Sequence, residues 1–229
     1  MYNDNVEIRD VEVDGETNWY WIKNDTGAFT GPSHDWLSSH KAKYFKNITN
    51  YDTIVTAGTN CGMYARFYSK MFKHVYAFEP EPMAFFCMVN NCPCDNVVKM
   101  NAALGRGHGI VGIHRAAPGG DAMNVGMNVV THSSEQFKIP MVTIDSLGLE
   151  ACSIIQLDVE GYEREALIGA SNTIKQFHPV IVAERFYDRD DQIFMQDTYN
   201  YQLTEISCMD AIYTYNSLNT PGEYFTIQT

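Results

Sequence analysis

Five carboxylates stand where apolar runs of the sequence end. Glu79 follows HVYAF (74–78), Asp158 and Glu160 follow SIIQL (153–157), Glu163 comes a short step later, and Glu184 closes PVIVAE (179–184). An ionised carboxylate is purely an acceptor: it can hold two adjacent hydroxyls, take a proton from a nucleophile or ligate a hard cation. A second signal lies in TIVTAGTNCG (53–62), where an apolar run leaves through Gly58 and Gly62. Glycines there let a tight turn close and let a ligand approach the backbone.

These residues need a scaffold, and the pattern supplies one. From Thr53 onward, strand-length apolar runs alternate with helical stretches. TIVTA (53–57), HVYAF (74–78), NVVKMNAAL (96–104), GIVGIH (109–114), PMVTID (140–145), SIIQLDVEG (153–161), PVIVAE (179–184), YQLTEIS (201–207) and DAIYTYN (210–216) read as strands. Residues 61–72, 83–91, 162–175 (with a break near Gly169) and 189–199 read as helices, the first with Met63, Phe67 and Met71 on one face. Such alternation predicts an α/β fold, a mostly parallel sheet with helices on both faces. The last two strands, joined by Cys208-Met209, pair antiparallel. Ligands of such sheets bind outside the carboxyl ends of the strands, where these acids collect. Upstream, VEIRDVEV and ETNWYWIK flank Asp14-Gly15 and predict a hairpin, and Ser33 or Asp35 caps a helix running to about Phe45. The expected organisation is an extension over residues 1–50 and a main domain over 51–229. Residues 116–136, rich in Gly, Asn, Ser and Thr, read as a loop beside the site.

Glu79 lies about twenty residues beyond the glycine turn, at the next strand end, which suits an acid that holds a ribose diol. A dinucleotide site wants Gly-x-Gly-x-x-Gly, whose middle glycine admits a pyrophosphate. Asn60 stands at that middle position and crowds a diphosphate. The turn therefore favours a nucleoside without phosphates, and S-adenosylmethionine is one. A nicotinamide-dependent oxidoreductase is the alternative that Asn60 opposes.

AGTNCGMY (57–64), AFEPEP (77–82), NNCPCDNVVKMNAALG (90–105), VTIDSL (142–147), QLDVEGYEREALIGASNTI (156–174) and HPVIVAE (178–184) come in this order. In that order they resemble the motifs of the FkbM family of S-adenosylmethionine-dependent methyltransferases, from about Asp52 to Glu184. The resemblance implies a class I, Rossmann-like methyltransferase fold with a seven-stranded sheet whose last strand is antiparallel. It also implies methyl transfer to an oxygen of a sugar, glycan or small metabolite. By position, Gly58, Thr59, Asn60 and Gly62 would line the methionine end of the cofactor, Glu79 would hold the ribose beside Pro80, and Asn101 and Ala102 would sit near the adenine. Thr56 stands where the family usually has an acid that anchors the amino-acid tail. It keeps a hydrogen-bonding hydroxyl without the charge, so a non-catalytic binding module is a second alternative.

Methyl transfer to a hydroxyl needs alignment and a proton acceptor. Asp158 is placed to face the sulfonium or the acceptor, and with Glu160 or Glu184 it is the expected base and acceptor ligand. Glu163 reads as a helix-start acid. Asp158 and Glu184 with His114 or His132 could alternatively hold a divalent cation, though no histidine has a partner at diagnostic spacing, and no metal is expected. The 229 residues carry a formal net charge of −12, which disfavours nucleic acid and anionic membranes as partners. No secretion signal or spanning segment is legible, and the six cysteines fit no disulfide scaffold, so a cytoplasmic protein is expected.

Overall fold

In the computed structural model, which describes residues 3–13, 15–25, 42–114, 128–131 and 138–217, the strands form three sheets. β1 (Val6–Arg9) and β2 (Trp19–Ile22) pair antiparallel as the expected hairpin. Asp14, most of the helix expected to end near Phe45, and residues 116–127 and 132–136 of the expected loop lie outside the described residues.

After the hairpin come β3 (Thr53–Ala57), β4 (His74–Phe78), β5 (Val97–Met100), β6 (Ala103–Leu104), β7 (Gly109–His114), β8 (Val129–Thr131), β9 (Lys138–Val142), β10 (Ile154–Leu157), β11 (Val180–Glu184), β12 (Tyr201–Ser207) and β13 (Asp210–Tyr215). The central sheet has seven strands in the order β12-β13-β11-β10-β3-β4-β5. β10, β11, β3, β4 and β5 run parallel, and β13 is inserted antiparallel between β11 and β12. Strand order reverses between β3 and β10, so a crevice opens beyond the carboxyl ends of these two strands.

Among the described residues five helices cover the sheet: α1 (Met63–Ser69), α2 (Pro82–Asn91), α3 (Glu163–Ile168), α4 (Ser171–Phe177) and α5 (Arg189–Tyr199). Strand alternation sorts the core into two layers. Val55, Ala57, Ile155, Leu157, Ile181 and Ala183 pack on one face with Leu167, Ile174 and Met195. Ile54, Ala77, Ile154, Val182 and Ile212 pack on the other with Tyr44, Tyr68 and Phe72. The helix expected over 162–175 divides into α3 and α4 at Gly169-Ala170. α1 buries Met63 of the expected face together with Ala65 and Tyr68, while Phe67 and, beyond the helix, Met71 are only partly buried.

Three expectations need correction. The third strand does not run continuously over 96–104. Asn101 turns its Nδ2 to donate to the carbonyls of Glu79 (2.8 Å) and Pro80 (3.0 Å), which ends β5 and sends β6 to another partner. The runs at 109–114 and 140–145 do not join the central sheet. β7 and β9, the latter ending at Val142, form a separate sheet of order β6-β9-β7-β8, and Ile144–Leu147 is a 3₁₀ turn capped by Thr143. β8 falls inside the segment read as loop and pairs antiparallel with β7.

The hairpin is fastened to the main sheet's helices. Trp19, Trp21 and Ile22 share a buried cluster with Cys61, Met63, Met83 and Cys87. The Asn91 side chain accepts from the Tyr20 N–H (2.7 Å) and donates to the carbonyls of Tyr20 (2.8 Å) and Cys61 (2.7 Å). Among the described residues no helix is long and apolar enough to cross a membrane.

Candidate active site

The glycine turn is built by stitching three strand ends together. The N–H groups of Gly58 and Thr59 both donate to the Phe78 carbonyl, at 3.1 and 3.3 Å, and the Asp158 N–H donates to the Ala57 carbonyl at 3.1 Å. Gly58 adopts φ +75°, and a Cβ placed there would lie 1.7 Å from the Asp158 carbonyl oxygen. Gly62 adopts φ +95°, and its Cβ would lie 2.8 Å from Met88 Cα. Both positions therefore demand glycine for a positive φ and for close packing.

Glu79 is buried at the end of β4. One carboxylate oxygen accepts from the Asn60 N–H at 2.7 Å and the other from the Glu81 N–H at 2.8 Å. Burial pushes its carboxyl up to about 7, opposed by these two backbone donors and reinforced by the charge of Glu81. The turn and the acid thus hold each other. The Asn60 side-chain oxygen is buried with no hydrogen-bond partner among the described residues. Glu81 caps α2 through the Ala84 N–H at 2.7 Å.

Not every expected residue reaches this edge. Thr56 is fully buried and donates its hydroxyl to Gln156 Oε1 on the neighbouring strand, so its side chain is spent one layer below the crevice. Thr59 also turns inward, donating to the Phe78 carbonyl at 3.2 Å. Ala102 is buried in the core, and Asn101 fastens the backbone of Glu79 and Pro80. Gly58, Asn60, Glu79 and the half-buried Pro80 remain at the edge.

The far acids gather on the other side of the crevice. Asp158, Glu160 and Glu184 each bring a carboxylate oxygen within 4.8 Å of the other two. Glu160 adopts φ +51°, and its carboxyl is raised by burial and by Glu184, with Arg185 opposing. Glu163 is buried and accepts from the N–H groups of Val159 (3.1 Å) and Gly161 (3.4 Å), holding the turn that carries Asp158 and Glu160. Of the histidines considered beside these acids, His114 ends β7 with an exposed side chain, and His132 lies outside the described residues.

The sequence reading missed a fourth acid and a set of tyrosines. Register places Asp210 of β13 directly beside Glu184. The Tyr44 hydroxyl donates to Asp210 Oδ2. Tyr64 and Tyr68, four apart on α1, stack with centroids 6.3 Å apart. Burial raises the Tyr64 phenol, as do the charges of Asp158, Asp210 and Glu184 and the neighbouring Tyr68. Tyr64 and Tyr68 were findable, since their spacing puts them on one face of the helix that opens at the glycine turn. Asp210 was not, because its place depends on which strand β13 enters between.

Comparison with known proteins shows the family of the chain. The Methyltransferase FkbM domain matches residues 56–206, more than half of the chain. The chain belongs to the FkbM methyltransferase family. Membership of this methyltransferase family supports S-adenosylmethionine as the cofactor. No curated protein matches the chain. The solved FkbM methyltransferase from Methylobacillus flagellatus KT is similar over 77% of this chain, with 15% identity and a TM-score of 0.54. The match covers 47% of that protein, so this chain spans about half its length. The precorrin-6y C5,15-methyltransferase of Geobacter metallireducens GS-15 matches over 84% of this chain and 94% of its own, at 13% identity and TM-score 0.47. TYW2 of M. jannaschii, solved in complex with AdoMet, matches over 93% of this chain and 87% of its own, at 13% identity and TM-score 0.43. The fold of this FkbM chain is the class I S-adenosylmethionine methyltransferase fold.

Proposed function

We propose that this FkbM methyltransferase transfers the methyl group to a hydroxyl oxygen of a sugar, glycan or small metabolite. One observation carries the reading: the glycine turn locked to Glu79 faces, across the switch point of the sheet, the carboxylates of Asp158, Glu160 and Glu184.

The residues present fit the cofactor. Glu79 would hold the ribose hydroxyls through the lone pairs that the Asn60 and Glu81 N–H groups leave free. The buried, unpartnered Asn60 oxygen suits the ammonium of the amino-acid tail. Gly58 and Gly62 keep the turn low, and Pro80 flanks the base. When bound, S-adenosylmethionine supplies a methyl carried on a cationic sulfur. The chain's own work is to align the acceptor oxygen and remove its proton. Asp158, at the strand end beside Gly58, accepts that proton, while Glu184 and Glu160 hold the acceptor and keep the crevice attractive to a cationic sulfur.

Calorimetry with S-adenosylhomocysteine, followed by transfer from a labelled methyl donor to candidate acceptors, tests the reading. Micromolar or tighter binding with label appearing on acceptor oxygen is expected. Binding without transfer to any acceptor makes the protein an inert module, and label on nitrogen or carbon removes the hydroxyl assignment.

A further inference from the structure

The glycine turn needs support from outside itself. Gly58, Asn60 and Gly62 all adopt left-handed backbone, at φ +75°, +49° and +95°. For a residue with a side chain, such as Asn60, that conformation persists only where the surroundings enforce it. The central sheet holds one flank of the turn, through the Phe78 carbonyl and the Glu79 carboxylate. Asn91, the last residue of α2, holds the other: its Nδ2 donates to the Cys61 carbonyl at 2.7 Å. Both residues are buried, so the bond lies in a low-dielectric interior, away from bulk water.

The Asn91 amide is aimed in turn by the hairpin. Its oxygen accepts from the Tyr20 N–H at 2.7 Å, and its nitrogen also donates to the Tyr20 carbonyl at 2.8 Å. Asn91 thus pairs with the edge of β2 that faces away from β1, as a neighbouring strand would. A line of bonds runs from Tyr20 through the Asn91 amide, the Cys61 carbonyl and the Asn60 N–H to Glu79. A second contact follows the same path. Glu16 pairs with Arg66 of α1 and with Lys70 just beyond it (2.7 Å), and the Arg66 guanidinium lies 5.0 Å from the centre of the Trp19 ring. The hairpin therefore engages both helices that flank the turn: α1, which starts after Gly62, and α2, whose Met88 packs against Gly62 one helical turn before Asn91.

Resting on the reading that the glycine turn and Glu79 hold S-adenosylmethionine, we propose that the N-terminal hairpin is a working part of the cofactor site and that Asn91 is the positioning residue that connects them. Tyr20 sets the amide, the amide sets the Cys61 carbonyl, and the turn then presents Asn60 to Glu79 in the binding geometry. Asn91 itself does not touch the cofactor. Cofactor affinity in this chain thus depends on residues 6–22, which lie outside the family match.

Calorimetry with S-adenosylhomocysteine, well below the melting temperature, tests this on the full chain. If the wild type does not bind, the cofactor reading falls and this inference with it. With wild-type binding in hand, Asn91→Ala should bind about 10- to 100-fold more weakly, since small displacements of a positioning group carry penalties of this order. Hydrogen exchange should quicken in peptides spanning 58–62 and stay slow over the central strand 154–157. Tyr201→Phe is the control: it removes a buried bond to the Pro179 carbonyl (2.7 Å) far along the chain, and should lower the melting temperature yet keep affinity within twofold. Trp21→Phe, which loosens the hairpin and leaves Asn91 intact, should weaken binding three- to tenfold, and it decides the question by the same criteria if Asn91→Ala fails to fold. Affinity within twofold of wild type in the folded variant, unchanged exchange over 58–62, or an equal loss of affinity in Tyr201→Phe would each overturn the proposal and leave the cofactor result standing.

Discussion

Glu79→Gln offers the sharpest check on how the cofactor edge works. In the free protein the Glu79 carboxyl is pushed up to about 7 from an ordinary 4.5, a difference of about 3 kcal/mol against the charged form. Below pH 4.5 the group is neutral both folded and unfolded. Between 4.5 and 7 the unfolded chain releases the proton first, so the free protein loses stability over this window and loses no more above it. A diol donating two hydrogen bonds needs the ionised form. At pH 5 only about 1% of Glu79 is ionised, so S-adenosylhomocysteine should bind roughly 100-fold more weakly at pH 5 than at pH 8, with about one proton released per binding event below pH 7. Glutamine has one acceptor oxygen and no charge. Losing charge-assisted bonds of about 1.5–3 kcal/mol should weaken binding at pH 8 by about 100-fold and flatten the pH profile. Titration calorimetry from pH 5 to 8.5, in buffers of different ionisation enthalpy, reads both quantities; the ligand's own groups do not titrate there. A wild-type affinity that is flat across this range, or a Gln variant that keeps the slope, would refute the reasoning.

Other variants probe the remaining supports. Gly58→Ala combines a left-handed φ, about 1–2 kcal/mol, with a methyl driven into the Asp158 carbonyl, and should destabilise the fold by about 3 kcal/mol or more in urea melts. Asp158→Asn should lower kcat by about 10²–10⁴-fold with an unchanged melting temperature, and turnover within threefold of wild type would remove it as base. Glu163→Ala orphans the Val159 and Gly161 N–H groups and should cost about 1–3 kcal/mol, with Glu163→Gln recovering most of it. Asn91→Ala removes three bonds that hold the hairpin and should cost about 3 kcal/mol by thermal denaturation.

Where local pattern dictates structure, the sequence was legible. β3 and β4 have the bounds their apolar runs indicate, and Glu79 and Asp158 stand at strand ends because apolar runs stop when a chain leaves a buried sheet. What failed was pairing. VVKM and AL look like one strand, yet the Asn101 side chain diverts the second piece to β9, nearly forty residues later in the chain. Thr56 sits at the right strand end, yet its fate is set by Gln156, a partner separated by 100 residues. Asp210 joins the site only because β13 enters the sheet next to β11. Apolar runs specify that a segment is buried; they do not name the neighbour it is buried against.

The two tryptophans of the N-terminal hairpin lie under the same helix that starts at the glycine turn, and one asparagine grips both pieces of backbone. A protein trimmed of residues 1–25, which lie outside the family match, would keep every residue credited with chemistry and still lose the wedge beneath Cys61 and Met63. Its cofactor grip should slacken before its sheet melts. Cutting by homology here would sever a keystone.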